Sequence, residues 1–599
     1  MSEALTEARS LLKQLYGYDD FRPAQANVIE SILEGYDTFA FLPTGYGKSV
    51  TFQIPAVMCD GLTIVISPLI ALMKDQVDDC NAKGIAATYV NSTQKPQESA
   101  DELLRAASGD VKLLYVSPER MYNQQFQAAL RQTEVSMIAV DEAHSASRWG
   151  HDFRPAYMQI KKMIGMFKRD GRRPVVLAVT ATATPEVEDD IRESLGLSKT
   201  LYRRFAGDPV RPNFQYSTVI EPSSTWMELS RMVTTGRSAF GGRHLVYSTT
   251  RKGAEMAAKV LLERLNLHHH LDNTDPVEVS LNSPVQFYHA GMTSQHRTAV
   301  QEKFKSGDCW CVCATNAFGM GIDVPDIRTV THLGIPGSVE DYVQEAGRGG
   351  RDGKATRAHL LVDEFSVTLQ QRFIDNVNPP LECYRWFWGW AQHASETCSA
   401  GQEVVIPMLH IARKINALFN LDTDNPDASI NADRLRGVLA VLESQGVLLR
   451  GKQAGHVDLI VELALCRVWM NDNKKDSMLR KMVAALISIG RGQINTDIET
   501  LATQAGVPQD KVAYTLRTLE DKGLLTREAQ FVGRSFSISE HHYSLPFDQA
   551  IKAEVIEQNR ARANARLAAM VNYANAPNKA EYIRNYFATG LKIEPSGVA

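Results

Sequence analysis

The 599-residue sequence predicts two tandem parallel-sheet α/β domains followed by mostly helical and winged-helix C-terminal domains. Three observations carry this expectation. From Thr38 to about Phe365, short apolar strands alternate with helical stretches, the pattern of a parallel sheet covered by helices. Within that span, LPTGYGKS (42–49) and VDEAH (140–144) are strand-to-turn motifs of a nucleotide site. Beyond about 366 the pattern changes to helices joined by short linkers.

The elements follow in order. An apolar strand over Thr38–Leu42 leads into the first motif, and SVTFQIPAVM continues it as a helix. Further strands are expected at TIVIS (63–67), KLLYVS (112–117), MIAV (137–140), VVLAVT (175–180), HLVYS (244–248), WCVCAT (310–315) and TVTHLG (329–334). The alternation is too long for one sheet, and PVRPNF (209–214) reads as a linker. The expected domains are therefore 1–208 and 209–365. A helical linker (366–402) with the aromatic run NPPLECYRWFWGWAQ (378–392) follows. Next come a helix-turn-helix-like segment at 403–455, a winged helix at 472–540 and a helical region at 541–599. INADRLRGVLAVLESQGVLLRG (430–451) and IETLATQAGVPQDKVAYTLRTLEDKGLLTRE (498–528) share one pattern of helix, turn, helix and apolar strand. In the second, Gly506 punctuates the turn and Gln509 or Asp510 would cap the next helix. LLTRE and FVGRSFSIS would form its wing.

Composition narrows the class. The net charge of −4 neither requires nor excludes a polyanion, because a groove needs only a local basic field. No apolar run is long enough to span a bilayer, and MSEALTEARS lacks a basic-then-apolar signal. A cytoplasmic protein of bacterial type, associated with the nucleoid, is expected. The eight cysteines contain no C-x-x-C pair and are expected as free thiols. Cys309, Cys311 and Cys313 alternate, which places them on one face of a strand as core. His268–His270 are expected in a solvated loop.

The two leading motifs specify chemistry. Gly45 and Gly47 let the backbone curl so that its N–H groups face phosphate oxygens, with Thr44 in the same turn. Lys48 would neutralise β/γ charge, and Ser49 would ligate Mg²⁺. Leu42 replaces the leading Gly of G-x-x-x-x-G-K-[ST]. Asp141 would hold Mg²⁺ from the end of a buried strand, and Glu142 would polarise an attacking water. More groups follow along the chain. ISPLIALMKDQVD (66–78) and YVSPER (115–120) put turns directly after strands, where a polynucleotide backbone would lie. VTATAT (179–184) carries three hydroxyls at a strand end. ATNAFGMGIDVPD (314–326) supplies a Gly-rich turn with Asp323. QEAGRGGRDG (344–353) presents Gln344, Arg348 and Arg351. An arginine supplied across a cleft can stabilise charge on a transferring phosphoryl group.

From about Tyr16 to Phe365 the chain resembles the RecQ family of superfamily 2 DNA helicases. The resemblance implies two RecA-like domains, ATP with Mg²⁺ as cofactor, and 3′→5′ translocation on single-stranded DNA. YGYDDFRPAQ (16–25) resembles the family's adenine-recognition motif. It implies that Tyr18 and Arg22 sandwich the base and that Gln25 reads its edge. SASRWGHDFRPAY (145–157) resembles the aromatic-rich loop that links DNA binding to hydrolysis. His144, Arg148, Trp149, His151, Phe153 and Arg154 are the implied DNA-coupling residues, with Ser145 and Arg148 where Cys and Gln are common. Asp323 and Gln344 join the implied nucleotide contacts, and Arg348 and Arg351 the catalytic set with Lys48, Asp141 and Glu142.

NARLAAMVNYANAPNKAEYIRNYFATG (564–590) resembles the helical part of the family's zinc module. Asn578 stands where the first ligand would be, and no cysteine follows Cys466. Zinc needs about four N or S ligands, so no zinc is expected. The expected function is an ATP-dependent DNA helicase acting on single-stranded, forked and tailed DNA in recombination or repair. The altered C-terminal region motivates one alternative: a DNA-stimulated ATPase or translocase within a larger complex, such as a mobile-element or defence system. A DNA-binding regulator with a degenerate ATPase fits less well with intact Lys48, Asp141, Glu142 and Arg351.

Trp149→Ala separates coupling from binding. Loss of base stacking removes roughly 1–3 kcal/mol of local contact, while phosphate contacts supply most of the affinity. DNA binding should survive and ATPase without DNA should be near normal, yet stimulation by single-stranded DNA should fall sharply. Wild-type stimulation would reduce the aromatic loop to core packing.

Overall fold

The structure is a computed structural model. It describes residues 3–91, 94–147, 156–157, 160–168, 173–197, 200–267, 271–272, 278–319, 324–393, 408–423, 425, 428–473, 477–490 and 492–591. Arg148, Trp149, His151, Phe153, Arg154, Asp323 and His268–His270 lie outside the described residues.

The first sheet comprises β1 (Asp37–Phe41), β2 (Leu62–Ile66), β3 (Ala87–Val90), β4 (Leu113–Val116), β5 (Val135–Val140), β6 (Val175–Thr180) and β7 (Tyr202–Ala206). Its order is β3-β4-β2-β5-β6-β1-β7, and every pair is parallel. β1 and β2 are buried along their whole length, as strands covered by helices on both faces must be. Because β5, β6 and β1 are adjacent and parallel, the turns after them leave the same sheet edge side by side. Those turns carry LPTGYGKS, DEAH and TATAT. The edge where such turns converge is where open α/β sheets bind ligands.

The second sheet comprises β8 (Phe214–Ile220), β9 (Arg243–Ser248), β12 (Val285–Tyr288), β13 (Cys311–Ala314), β14 (Ile327–Leu333) and β15 (Thr356–Val362). Its order is β12-β13-β9-β14-β15-β8, again parallel throughout. A short antiparallel pair, β10 (Leu271–Asp272) and β11 (Glu278–Val279), stands apart from it. Two tandem parallel sheets are the expected RecA-like arrangement. The segment expected as linker ends at Phe214, where β8 begins. Cys309, Cys311 and Cys313 are fully buried but do not share a face. Cys311 and Cys313 pack with Leu261 and Phe287, whereas Cys309, before the strand starts, packs with Phe304 and Phe318 on the other side.

The chain divides into two compact units; among the described residues these are 3–370 with 565–591, and 371–564. In the second unit, β16 (Leu448–Val461) pairs antiparallel with β17 (Gln493–Asp497) and β18 (Leu525–Ile538). Helices Ile498–Ala505 and Gln509–Asp521 form the expected helix-turn-helix, with Gly506 in the left-handed region at φ 60°. Pro508, not Gln509 or Asp510, occupies the cap position. The expected local wing is one continuous strand, β18, whose partner β16 lies far earlier in the chain. The segment 430–451 holds a single helix, Ala432–Ser444, and its companion Met408–Leu418 precedes it. Tyr384, Phe387, Trp388 and Trp390 of helix Leu381–His393 are core, as their density suggested.

The C-terminal helices Ala553–Asn575 and Lys579–Thr589 reach the first unit from Ala565 onward. The Tyr573 and Tyr342 rings meet at 4.8 Å, and Phe587 meets Phe41 at 5.4 Å. The Tyr586 hydroxyl donates to the buried Glu340 carboxylate at 2.9 Å. Asn578, at the expected zinc-ligand position, caps the last helix instead. Its Oδ1 accepts the Glu581 N–H and its amide donates to the Glu581 carboxylate, both at 3.1 Å. The adjacent Lys579 ammonium donates to the carbonyls of Tyr573, Ala574 and Ala576 at 2.7–3.0 Å, which closes the C-terminus of the preceding helix.

Asn578→Ala should destabilise this helix pair by about 1 kcal/mol, the ordinary cost of a lost N-cap. Amide exchange over 579–583 should quicken while that of β2 stays unchanged. Unaltered exchange at 579–583 would mean that packing of Ile583, Tyr586 and Phe587 holds the helix alone.

Candidate active site

A cleft of about 710 Å³ opens where the two parallel sheets face each other. Its lining includes Tyr18, Arg22, Gln25, Thr44, Gly45, Gly47, Lys48, Ser49, Asp141, Glu142 and His144 from the first sheet's side. Gln344, Arg348 and Arg351 line it from the second. Fourteen of the twenty residues named from sequence thus converge on one cavity, and the other six lie outside the described residues.

The phosphate turn is built as its sequence requires. Gly45 and Gly47 sit at φ 78° and 82°, a region that side chains disfavour. A Cβ at Gly47 would stand 2.6 Å from Gln25 Nε2. Gln25 holds this turn closely: Nε2 donates to the carbonyls of Tyr46 (2.8 Å) and Gly47 (3.0 Å), and Oε1 accepts the Arg22 N–H. The Arg22 guanidinium donates to the Gly45 carbonyl at 2.8 Å and lies 5.1 Å from the Tyr46 ring centre. Tyr18 is exposed at the rim. The segment read as base-recognising is therefore tied directly to the phosphate turn.

On the cleft floor, Lys48 Nζ and Glu142 Oε1 pair at 3.0 Å, both largely shielded from solvent. Glu142 takes a left-handed backbone, φ 47° and ψ 49°, which turns its side chain back over the sheet edge. Backbone strain of this kind at a non-glycine residue costs roughly 1–3 kcal/mol and clusters at functional sites. Asp141 is partly buried, and desolvation together with the neighbouring Glu142 charge pushes its carboxyl up to about 6. His144 Nδ1 lies 2.9 Å from Thr180 Oγ1 and 3.4 Å from Glu142 Oε2. This joins the carboxylate after β5 to the first hydroxyl of TATAT after β6.

The two arginines differ in placement. Arg348 donates to the Gly319 carbonyl, and its Nε meets no partner among the described residues. The Arg351 stem lies against the phosphate turn, 3.4 Å from where a Gly45 Cβ would be. Gly347 approaches Thr44 more closely still, since a Cβ there would meet the Thr44 Cβ at 2.9 Å.

Two contributors escaped the sequence reading. Gln76, in helix Ile70–Ala82, donates to Ser49 Oγ at 3.1 Å and accepts from the Tyr115 hydroxyl at 3.1 Å. Only its position beside the buried stripe Met73–Val77–Cys80 could have signalled it. Arg211 lies inside the segment that reads as a linker, where a lone arginine carries no pattern.

Known proteins align with this arrangement. Residues 22–191 match the DEAD/DEAH box helicase family and residues 226–353 the helicase conserved C-terminal domain. The probable ATP-dependent DNA helicase RecS of Bacillus subtilis is 36% identical over 371 residues, covering 62% of this chain and 70% of that protein. The ATP-dependent DNA helicase RecQ of the same organism is 40% identical over 374 residues, covering 62% of this chain. The chain belongs to the RecQ family of superfamily 2 helicases. It spans 58% of that RecQ's length and 55% of the Haemophilus influenzae RecQ, to which it is 38% identical. Among solved structures, the DUF1998 helicase MrfA bound to DNA shares the fold, with TM-score 0.50 at 16% identity over 75% of this chain and 62% of that one.

A helicase domain pair of the RecQ family implies ATP and Mg²⁺, and the residues fit both. The glycine cradle leaves room only for backbone beside Gln25. Lys48 and Arg351 supply positive charge on opposite walls, and Ser49 and Asp141 offer the oxygen ligands that Mg²⁺ prefers.

Gly47→Ala tests the cradle. The new methyl would force Gln25 off the turn and strain the backbone, so affinity for a fluorescent ADP analogue should fall by about tenfold or more. Unchanged affinity would show that the turn does not shape the nucleotide site.

Proposed function

We propose that the chain is an ATP-dependent DNA helicase that translocates 3′→5′ on single-stranded DNA and separates duplexes. Recombination or repair in a bacterial-type cytoplasm, at the nucleoid, is its setting. One observation carries this reading. In a RecQ-family chain, the Lys48–Glu142 pair on one sheet faces the Arg351 turn of the other across a single cleft. Among the described residues, no helix is long and apolar enough to cross a membrane.

ATP with Mg²⁺ supplies a γ-phosphoryl group open to attack by water. Ser49 Oγ, held by Gln76, and Asp141 would hold the metal. Lys48 would exchange Glu142 for phosphate oxygens. Glu142, kept in place by its left-handed backbone and by His144, would orient the water and take its proton. Arg351 would stabilise charge on the equatorial oxygens from the opposite wall. Arg348 would act less directly, by fixing the Gly319 turn. Tyr18, Arg22 and Gln25 would clasp the base, with Arg22 and Gln25 remaining anchored to the phosphate turn. Thr44, Gln344 and Asp323 would complete the nucleotide contacts. The link His144–Thr180 runs from the hydrolytic carboxylate to the end of β6, and in sequence Arg148, Trp149, His151, Phe153 and Arg154 follow His144 within ten residues. DNA on that loop would thereby reach Glu142, and closure of the two sheets around nucleotide would drive stepping.

The C-terminal helix pair is proposed to hold no zinc, because Asn578 and Lys579 already satisfy the helix ends that a metal staple would fix. The same feature favours a second reading, a DNA-stimulated translocase within a larger complex that does not separate strands. Parallel strand-displacement and ATPase assays on forked, 3′-tailed, 5′-tailed and blunt duplexes distinguish the two.

Lys48→Ala should abolish hydrolysis and leave DNA binding largely intact. Glu142→Gln should still bind ATP but turn over at least about a hundredfold more slowly, since an amide cannot accept the water's proton. Near-normal turnover in either variant would refute the site.

Metal analysis of the untagged protein should find no stoichiometric zinc, and a chelator should leave the nucleotide-free melting temperature unchanged. One tightly held zinc per chain would overturn the metal-free reading.

A further inference from the structure

The segment joining the two parallel sheets is pinned at several points. Asp208 accepts a bidentate pair from Arg584 of the last helix at 2.9–3.0 Å and also accepts the Val210 N–H at 2.9 Å. Pro209 and Pro212 restrict φ on either side of Arg211. The Arg211 guanidinium then donates to three carbonyls of the arginine-bearing turn. These are Gly347 and Gly349 at 2.7 Å, and Gly350 at 3.4 Å. Asn213 adds bonds to the Gly350 and Lys354 carbonyls at 2.9 and 2.8 Å. The guanidinium stacks 4.3 Å from the Phe214 ring centre. A Cβ on Gly45 would stand 3.2 Å from Arg211 Nη1, so the same group touches the phosphate turn.

This constellation is unusual for a tether. A guanidinium drawn partly out of solvent normally meets a carboxylate, yet every acceptor of Arg211 among the described residues is a backbone carbonyl. Burial, with Arg351 and Arg22 close by, pulls it down to about 10. Holding a cation there, beside two others, is costly unless its five donors do work that no neutral group could do. That work is geometric. Carbonyls that converge on one planar fork fix the path of the 347–350 backbone, and with it the origin of the Arg351 side chain.

We propose that Arg211 is a positioning residue for hydrolysis: it clamps the 347–350 turn so that Arg351 is presented to the phosphate turn. The proposal rests on the reading of Arg351 as the group that faces the transferring phosphoryl. The connection between the sheets is then part of the hydrolytic apparatus. Its anchorage through Asp208 and Arg584 places the C-terminal helix pair in mechanical continuity with that apparatus.

The test compares Arg211→Gln, Arg211→Lys, Arg351→Ala and the double variant Arg211→Gln/Arg351→Ala in the full chain. Three quantities are read: amide exchange over 348–353 without nucleotide, affinity for a fluorescent ADP analogue, and DNA-stimulated kcat. In the native turn, the Gly349, Gly350 and Gly353 N–H groups bond to Ala346, Ile327 and Gly350 carbonyls at 2.8–3.1 Å, so exchange reports directly on the clamp. Arg211→Gln should quicken exchange there by about tenfold or more. It should lower kcat by about tenfold or more and change ADP affinity by less than about threefold. The double variant should be no slower than Arg351→Ala, because both changes remove one function. Arg211→Lys, which keeps the charge but loses the fork, should fall between wild type and Arg211→Gln in both exchange and kcat. Wild-type exchange in Arg211→Gln overturns the clamp. So does a double variant slowed by the product of the two single effects, since Arg211 would then act independently of Arg351. If Arg351→Ala hydrolyses at the wild-type rate, the reading of Arg351 fails and the positioning role is overturned with it.

Discussion

Lys48 and Glu142 satisfy each other at 3.0 Å on the floor of a narrow cleft, and the rest of the site is arranged around that pairing. Removing one partner from a shielded ion pair leaves a stranded charge, at a cost of several kcal/mol. Lys48 can therefore leave Glu142 only when another anion takes it, and Glu142 must find support when it does. The neighbouring groups provide that support. His144 stands 3.4 Å from the other carboxylate oxygen, and a left-handed backbone fixes where the side chain starts. In the proposed mechanism the resting pair would act as a lock that an anionic ligand opens, and opening it would release the base while the phosphates are held.

Much of this was legible in the sequence, for a physical reason. Glycine-punctuated turns and strand-end carboxylates are local devices, so LPTGYGKS and VDEAH announce themselves within a few residues. Fully buried parallel strands are short apolar runs, and those near the motifs were found within a residue or two. Within the two parallel sheets, the strands that went unnoticed are β3, β7, β8, β12 and β15. In β7 and β8, most residues are only partly buried and the apolar run is broken.

What stayed hidden is non-local. Pairing of β16 with β18 joins segments more than sixty residues apart, and nothing in FVGRSFSIS names its partner. Gln25 carries a base-reading position in the family motif, yet its amide also knits two carbonyls of a turn twenty residues on. Asn578 was notable as a missing ligand, and only three-dimensional context shows it to be a helix cap. Arg211 illustrates the limit most sharply. Its acceptors are main-chain carbonyls of glycines, which leave no trace in side-chain patterning.

The absence of cysteines from the C-terminal helix pair and the pinning of the connection are two sides of one constraint. A zinc-held module keeps its shape through coordinate bonds, whatever it packs against. A helix pair closed by Asn578 and Lys579 depends more on its docking surface for rigidity. Here that surface includes Phe41 at the end of β1, Asp208 in the connection, and Glu340 and Tyr342 on the helix Val339–Ala346. That helix presents Gln344 to the cleft and runs directly into the arginine-bearing turn. Apolar packing and a few charge-assisted bonds thus connect the C-terminal pair with both walls of the site. Any rearrangement of the two sheets must break or carry these contacts, so the C-terminal helices set part of the free-energy difference between open and closed cleft.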